Sequence, residues 1–355
     1  MTVIISVDVM GGDHGVDITI PACIKFLQSK FDVKLLMVGD ETVIKNKLAN
    51  NLTTFQDKIS IVHTTQIVEM DETPQSAMRN KKDSSMRVAI NQVKNKEAEA
   101  VVSAGNTGAL MATARYVLRT LDSIDRPAIA KLIPSIKGDV CMLDLGANLE
   151  CSPENLFQFG VMGAQLMHGI AKKPNPSIGL LNIGSEDMKG HKHIKEAAEL
   201  FKISGLNFYG NVEGDDINKG TVDVVVCDGF TGNVALKTME GVAKMMAHFI
   251  KEAFTKNIIN KSIGLLSYPV IKQIKTKLDT RKYNGAVLLG LNGLVIKSHG
   301  SADTLGFYYA LEQAYHEVHS GFQSLLVDYL KTHKQIFEKD DTRAALMEFQ
   351  DLSQL

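Results

Sequence analysis

The stretch Ala100-Val-Val-Ser103-Ala-Gly-Asn106-Thr-Gly108-Ala-Leu-Met-Ala112 decides the fold. An apolar run gives way to small and hydroxyl residues and then to a helical pattern. That order is a buried strand, a tight loop and a helix N-terminus. The same succession recurs along the chain. Apolar runs at 3–7, 33–38, 59–62, 140–143, 178–181, 222–227 and 286–289 alternate with helical patterns such as 155–172 and 234–254. Runs that are apolar on both faces belong to parallel strands covered by helices on both sides. The expectation is an α/β fold, a three-layer α/β/α sandwich around a mostly parallel, doubly wound sheet.

Working outward, the 355 residues contain no internal repeat, low-complexity tract or linker. Residues 1–335 therefore read as a single domain, with a helical hairpin inserted at 250–283 and a polar tail over 336–355. With 45% hydrophobic and 22% charged residues, a disordered or fibrous chain is excluded. A net charge of −1 supplies no field for a dedicated nucleic-acid binder. Cys23, Cys141, Cys151 and Cys227 show no metal-finger or disulfide spacing, which fits a reducing cytosol. The N-terminus lacks the basic region of a signal peptide, and no apolar run approaches the roughly 20 residues of a spanning helix.

In doubly wound sheets, ligands bind beyond the C-terminal ends of strands. The glycine-rich and polar loops fall there: Asp8-Val-Met-Gly-Gly-Asp13-His14, Ser103 to Gly108, Asp144-Leu-Gly-Ala-Asn148 and Asp228-Gly-Phe-Thr-Gly-Asn233. These four are expected to converge on one cleft. Ser103, Gly105, Asn106, Thr107 and Gly108 open a helix whose free N–H groups suit phosphate; the same residues also read as a capped turn. They match neither a P-loop nor a dinucleotide fingerprint. Lys189, in Asn182-Ile-Gly-Ser-Glu-Asp-Met-Lys189, is a mobile cation for phosphate or a solvated loop lysine. Asp228 is a strand-end carboxylate for proton transfer or a helix cap. Cys227 reads as a buried small hydrophobe rather than a nucleophile. His14 and His299 sit beside glycines in candidate mouth loops. The run from Arg79 through Lys81, Lys82, Ser84 and Ser85 to Arg87 offers cations and hydroxyls to a phosphate or an acidic partner, or is a solvated helix face.

Residues 251–282 carry eight lysines and arginines against Glu252 and Asp279, a net +6 that leaves −7 on the rest. Between the lysines lies an apolar turn with Ile263, Leu265, Leu266, Tyr268 and Val270. Inserting side chains flanked by lysines suit an anionic membrane surface. A dimer interface is the competing reading of the same tip.

In order and spacing, the loops above, with Lys81-Lys-Asp-Ser-Ser-Met86, Gly179-Leu-Leu-Asn-Ile-Gly184, Lys189-Gly190, Gly210-Asn-Val-Glu-Gly214, Val226 through Lys237, Leu288-Leu-Gly290 and His299-Gly-Ser, resemble the bacterial phosphate acyltransferase family of phospholipid synthesis, the PlsX family. The resemblance implies transfer of a long-chain acyl group from acyl carrier protein to inorganic phosphate, giving acyl phosphate. It implies a homodimer with an isopropylmalate dehydrogenase-like fold, cytoplasmic and peripherally associated with the membrane, and a downstream glycerol-phosphate acyltransferase as partner. No metal or nucleotide cofactor is implied. Lys189 and Asp228 match the family's loop lysine and motif aspartate. The family usually has Gly-Gly-Ala-Pro where this chain has Asn284-Gly-Ala-Val287, and an Asn in place of His191. The chemistry expected is direct attack of bound phosphate on the thioester, with Asp228 taking a proton and Asn148, Asn233 or His14 facing the oxyanion. The competing functions are an NAD-dependent hydroxy-acid dehydrogenase of related fold and a non-catalytic membrane-docking scaffold.

Overall fold

The computed structural model describes residues 2–30, 32–277 and 279–337. Eleven strands follow in chain order: β1 (Val3–Asp8), β2 (Val33–Gly39), β3 (Ile59–His63), β4 (Ala100–Ser103), β5 (Ala128–Ser135) and β6 (Gly138–Leu143). Then come β7 (Ile178–Leu181), β8 (Phe208–Val212), β9 (Val224–Val226), β10 (Ala286–Leu289) and β11 (Leu294–Lys297). They form one sheet in the order β3-β2-β1-β4-β11-β10-β5-β6-β9-β7-β8.

Alternate residues of the central strands feed two separate cores. Ala100 and Val102 point into one and Val101 into the other; Val224 and Val226 part from Val225 in the same way. The first core is closed by the helices Val16–Ser29, Pro153–Ala171 and Thr304–Ser320. The second is closed by Ser85–Lys94 and Thr107–Leu118. Three layers result because strands of this composition have no polar face to give to water. The expected fold class is borne out.

Three strands escape the apolar-run reading. β5 carries Lys131 and Pro134, β8 carries Gly210 and Asn211, and β11 is four residues ending in Lys297. Their placement alters the topology. β10 pairs antiparallel with both β11 and β5, and β6 pairs antiparallel with β5, whereas the remaining pairings are parallel. Three reversals turn β6, β9, β7 and β8 opposite to β1–β4 and β11. The C-terminal ends of β1 and β4 thus point the opposite way from those of β6 and β9, although the register carries Ser103 and Lys297 across β10 and β5 to within a residue of Met142. The four polar loops leave the sheet as two opposed pairs separated by the width of β11, β10 and β5.

The Gly229–Thr255 helix starts at one pair and passes near the other. Its 27 residues span about 40 Å. The hairpin expected at 250–283 begins with this helix and continues as helices Ile258–Leu266 and Tyr268–Lys277 before a 3₁₀ turn at Thr280–Tyr283. The tip is helical on both sides of Ser267, not an irregular turn, because Pro269 falls in the first turn of its helix, where a missing N–H costs nothing. The apolar residues Val242, Met245, Met246 and Phe249 of the long helix are about half exposed. Leu265 and Leu266 are 77% and 83% exposed. Among the described residues, no helix is long and apolar enough to cross a membrane. Of the tail expected at 336–355, residues from 338 onward lie outside the described residues, while Phe337 packs its ring 5.7 Å from that of Phe157.

Candidate active site

Three adjacent strands end in a polar row. Asp8 of β1 is opposite Ser103 of β4, which is opposite Lys297 of β11. All three side chains are buried. Ser103 Oγ donates to Asp8 Oδ2 at 2.7 Å and accepts from the Gly105 N–H at 3.0 Å. Burial pushes the Asp8 carboxyl up, opposed by the hydroxyls of Ser85 and Ser103. Its Oδ1 has no hydrogen-bond partner within bonding distance among the described residues. Lys297 Nζ donates to the carbonyls of Ala104, at 3.3 Å, and Ser298. Burial pulls its pKa down to about 8, with Asp8 and Asp13 opposing. The row is a cation and a carboxylate held out of water beneath the glycine loops.

Those loops are packed against each other. A Cβ on Gly11 would lie 2.6 Å from Asp8 Oδ2 and 2.9 Å from the Gly105 nitrogen, so only glycine lets β1's loop meet β4's. The Asp13 N–H donates to Gly300 O at 3.0 Å, which ties in the loop after β11. Asn284, at a departure from the family pattern, braces that loop with Nδ2 to Ser298 Oγ at 2.8 Å and Oδ1 accepting from the His299 N–H at 3.0 Å. His14 is exposed on the same rim. Burial lowers the His299 pKa, and Lys237 lowers it further.

Of the candidate phosphate residues, Ser103 is committed to Asp8. Asn106 caps its helix through Oδ1 to the Ala109 N–H at 3.0 Å and donates Nδ2 to the carbonyls of Met70 and Glu72. Gly105 is buried, whereas Thr107 and Gly108 are exposed at the first turn of the helix. The basic run divides likewise: Ser84 caps the Ser85–Lys94 helix, and Arg87 donates to Met78 O at 3.0 Å.

In the other pair, Asp144 is buried and accepts from the N–H groups of Ile129, Ala147 and Asn148 and from Asn148 Nδ2. Burial raises its pKa and those four bonds oppose the rise. Asn148 Nδ2 is also spent on Pro127 O at 2.9 Å, so Asn148 is a strut, not a free donor. A Cβ on Gly232 would stand 1.9 Å from Asp144 O, so the helix start is seated directly on this loop. Asp228 caps that helix, accepting from the Thr231 N–H and Oγ1, each at 2.8 Å. Asn233 is exposed beside Gly146. Cys227 is buried, its thiol pushed well up by burial, and its Sγ donates to Asp144 O at 3.5 Å. A thiol buried in its protonated form is a poor nucleophile. Lys189 is half-exposed, 3.9 Å from Glu186. Among the described residues nothing bonds its ammonium to Asp228.

The long helix connects the pairs. Asp228 opens it, and nine residues on, about 13 Å, Lys237 lies near enough to Lys297 and His299 to lower both pKa values. Lys131 of β5 pairs with Glu240 at 3.3 Å, and Lys237 with the same carboxylate at 3.1 Å. Asp8 and Lys237 lie inside the motifs quoted above but are given no role there, and Lys297 and Lys131 lie outside them. Asp8 and Ser103 share a signal, a polar residue ending an apolar run before glycine, but the row they form with Lys297 depends on recognising β11.

The model of a family described as "Fatty acid synthesis protein" matches residues 3–325. A phosphate acyltransferase of Chromobacterium violaceum is 58% identical over 92% of this chain and 95% of its own length. One of Neisseria meningitidis is 54% identical over 89% and 90%. Among solved structures, a phosphotransacetylase from Streptococcus pyogenes aligns with a TM-score of 0.61 at 14% identity, covering 91% of this chain and 94% of that one. A branched-chain phosphotransacylase from Enterococcus faecalis aligns at 0.56 and 13%, covering 90% and 99%. The structures show likeness of fold; the span and identity of the sequence matches bear out the resemblance read from the motifs. This chain belongs to the fatty acid synthesis protein family, in the company of the phosphate acyltransferases of Chromobacterium violaceum and Neisseria meningitidis.

Proposed function

We propose that this protein transfers a long-chain acyl group from the thioester of acyl carrier protein to inorganic phosphate. The observation that carries the reading is the loop after β4: an exposed helix N-terminus at Thr107 and Gly108 beside the buried lysine of the Asp8–Ser103–Lys297 row. Helix N–H groups and a nearby ammonium suit an inorganic anion. The names of the relatives set the acyl chemistry beside it.

In this mechanism a phosphate oxygen bonds to the thioester carbon, the C–S bond breaks, and the carrier thiolate takes the proton that phosphate gives up. Ser103, Gly105, Asn106, Thr107 and Gly108 build the phosphate loop, the first through Asp8 and the third as cap, with the N–H groups of the last two facing the anion. Lys189 adds charge, Asp228 relays the proton, and Asn233 or His14 faces the carbonyl oxyanion. The continuous sheet supports reading residues 1–335 as one catalytic domain. The half-exposed stripe Val242, Met245, Met246 and Phe249 supports a homodimer, and the +6 hairpin with its bare tip supports peripheral contact with an anionic membrane from the cytoplasm. The test is release of free carrier thiol from an acyl carrier protein thioester. Release should require phosphate and fall at least 100-fold in Lys189→Ala; a Lys189→Ala enzyme at wild-type rate removes that residue from the mechanism.

A further inference from the structure

Between β5 and the long helix lies a cavity of about 180 Å³, walled by Leu132, Ile133, Leu236, Met239 and Ala243. On the helix, Leu236, Met239, Glu240 and Ala243 recur at i, i+3, i+4 and i+7, so a single stripe of it faces the strand. The volume falls below the roughly 300–1,000 Å³ of sites that take drug-sized ligands, so it has room for a segment of a long hydrocarbon chain and not for the whole of one.

The rim differs from the walls. Lys131 and Glu240, both largely buried, form an ion pair there, and Lys237 shares the same carboxylate. Two ammonium groups against one carboxylate leave a surplus positive charge. Lys237 carries that charge toward Lys297 and His299, the row beneath the phosphate loop. An apolar cavity with a cationic rim is complementary to an amphiphile with a hydrocarbon tail and an anionic head. The product of acyl transfer to phosphate has that form.

We propose that this cavity holds a segment of the hydrocarbon chain of the acyl group, and that Met239 and Ala243 gauge how long a chain is accepted. The inference rests on the acyl-transfer reading above and adds to it the seat of the chain and the residues that select its length. Ala243 is the smallest group in the wall, so a larger side chain there shortens the space without touching the phosphate loop.

The experiment compares kcat/KM for hexadecanoyl and hexanoyl thioesters of acyl carrier protein in the wild type and in Ala243→Phe. The long-to-short ratio should fall at least tenfold in the variant. An unchanged ratio, with the wild type turning over both donors, overturns the cavity assignment alone; a wild type inactive on every donor overturns the acyl-transfer reading itself. Ala243→Cys supplies a measurement independent of turnover. Alkylation of its thiol by N-ethylmaleimide should slow at least fivefold with dodecyl phosphate and not with inorganic phosphate, the wild type serving as control because Cys23, Cys141 and Cys227 are buried and Cys151 half-buried. Equal rates with and without dodecyl phosphate overturn the proposal.

Discussion

Asp228 ends an apolar strand segment and caps a 27-residue helix, so its carboxylate has a structural duty whether or not it has a chemical one. The two duties separate by substitution. Asparagine caps as well as aspartate, whereas alanine loses about 1 kcal/mol of helix stability. Asp228→Asn should therefore melt within about 2 °C of the wild type while its kcat falls 100-fold or more, the usual scale for loss of a proton-transfer group. Full activity in Asp228→Asn would leave the residue a cap. Ser103 marks the limit of reading at this scale. Its place before Ala-Gly-Asn-Thr-Gly was visible in sequence, but its hydroxyl is turned inward to Asp8 rather than toward a ligand. A one-dimensional pattern locates a loop at a strand end; it does not say which hydroxyls of the loop are already spent on a buried carboxylate.

Strands such as β1, β4 and β9 were legible because each is apolar on both faces. β5 and β11 were not, since a lysine, a proline or a four-residue length hides the pattern, and these strands with β10 and β6 reverse the sheet. Direction is set by pairing between residues far apart in the chain, which local periodicity does not encode. The helix Thr304–Ser320 raises a different question. Its Glu317 is buried and accepts a bond from Gln313 Nε2 at 2.7 Å, and its Oε2 has no partner among the described residues. Burial pushes its pKa from the usual carboxylate range up to about 8. The folded chain thus keeps a proton that the unfolded chain releases above about pH 4.5, and stability declines as pH rises from there to about 8. Glu317→Gln imitates the protonated form. It should match the wild type near pH 5 and exceed it at pH 8.5 by roughly 3–5 kcal/mol, read by denaturant unfolding. An equal difference at both pH values would show that the carboxyl is not the titrating group.

For the whole molecule, a net charge of −1 conceals a body of −7 and one hairpin of +6 whose tip is bare. That division was readable from the sequence; the helical form of the tip and the exposed stripe leading to it were not, because an amphipathic pattern does not say what covers its apolar face. Leu265→Glu with Leu266→Glu should abolish co-sedimentation with anionic vesicles and leave the melting temperature unchanged, since both side chains already face solvent. Retained binding would move the tip to an interface between copies. The fold places the polar row, the capped Asp228 and the apolar cavity along one helix, and the proposed acyl transfer to phosphate uses all three. Its most direct test is to incubate the wild type with an acyl carrier protein thioester and phosphate and to trap the product with hydroxylamine. The account predicts an acyl hydroxamate whose yield rises with phosphate and matches the free thiol released. No hydroxamate at any chain length, or a yield indifferent to phosphate, would contradict it.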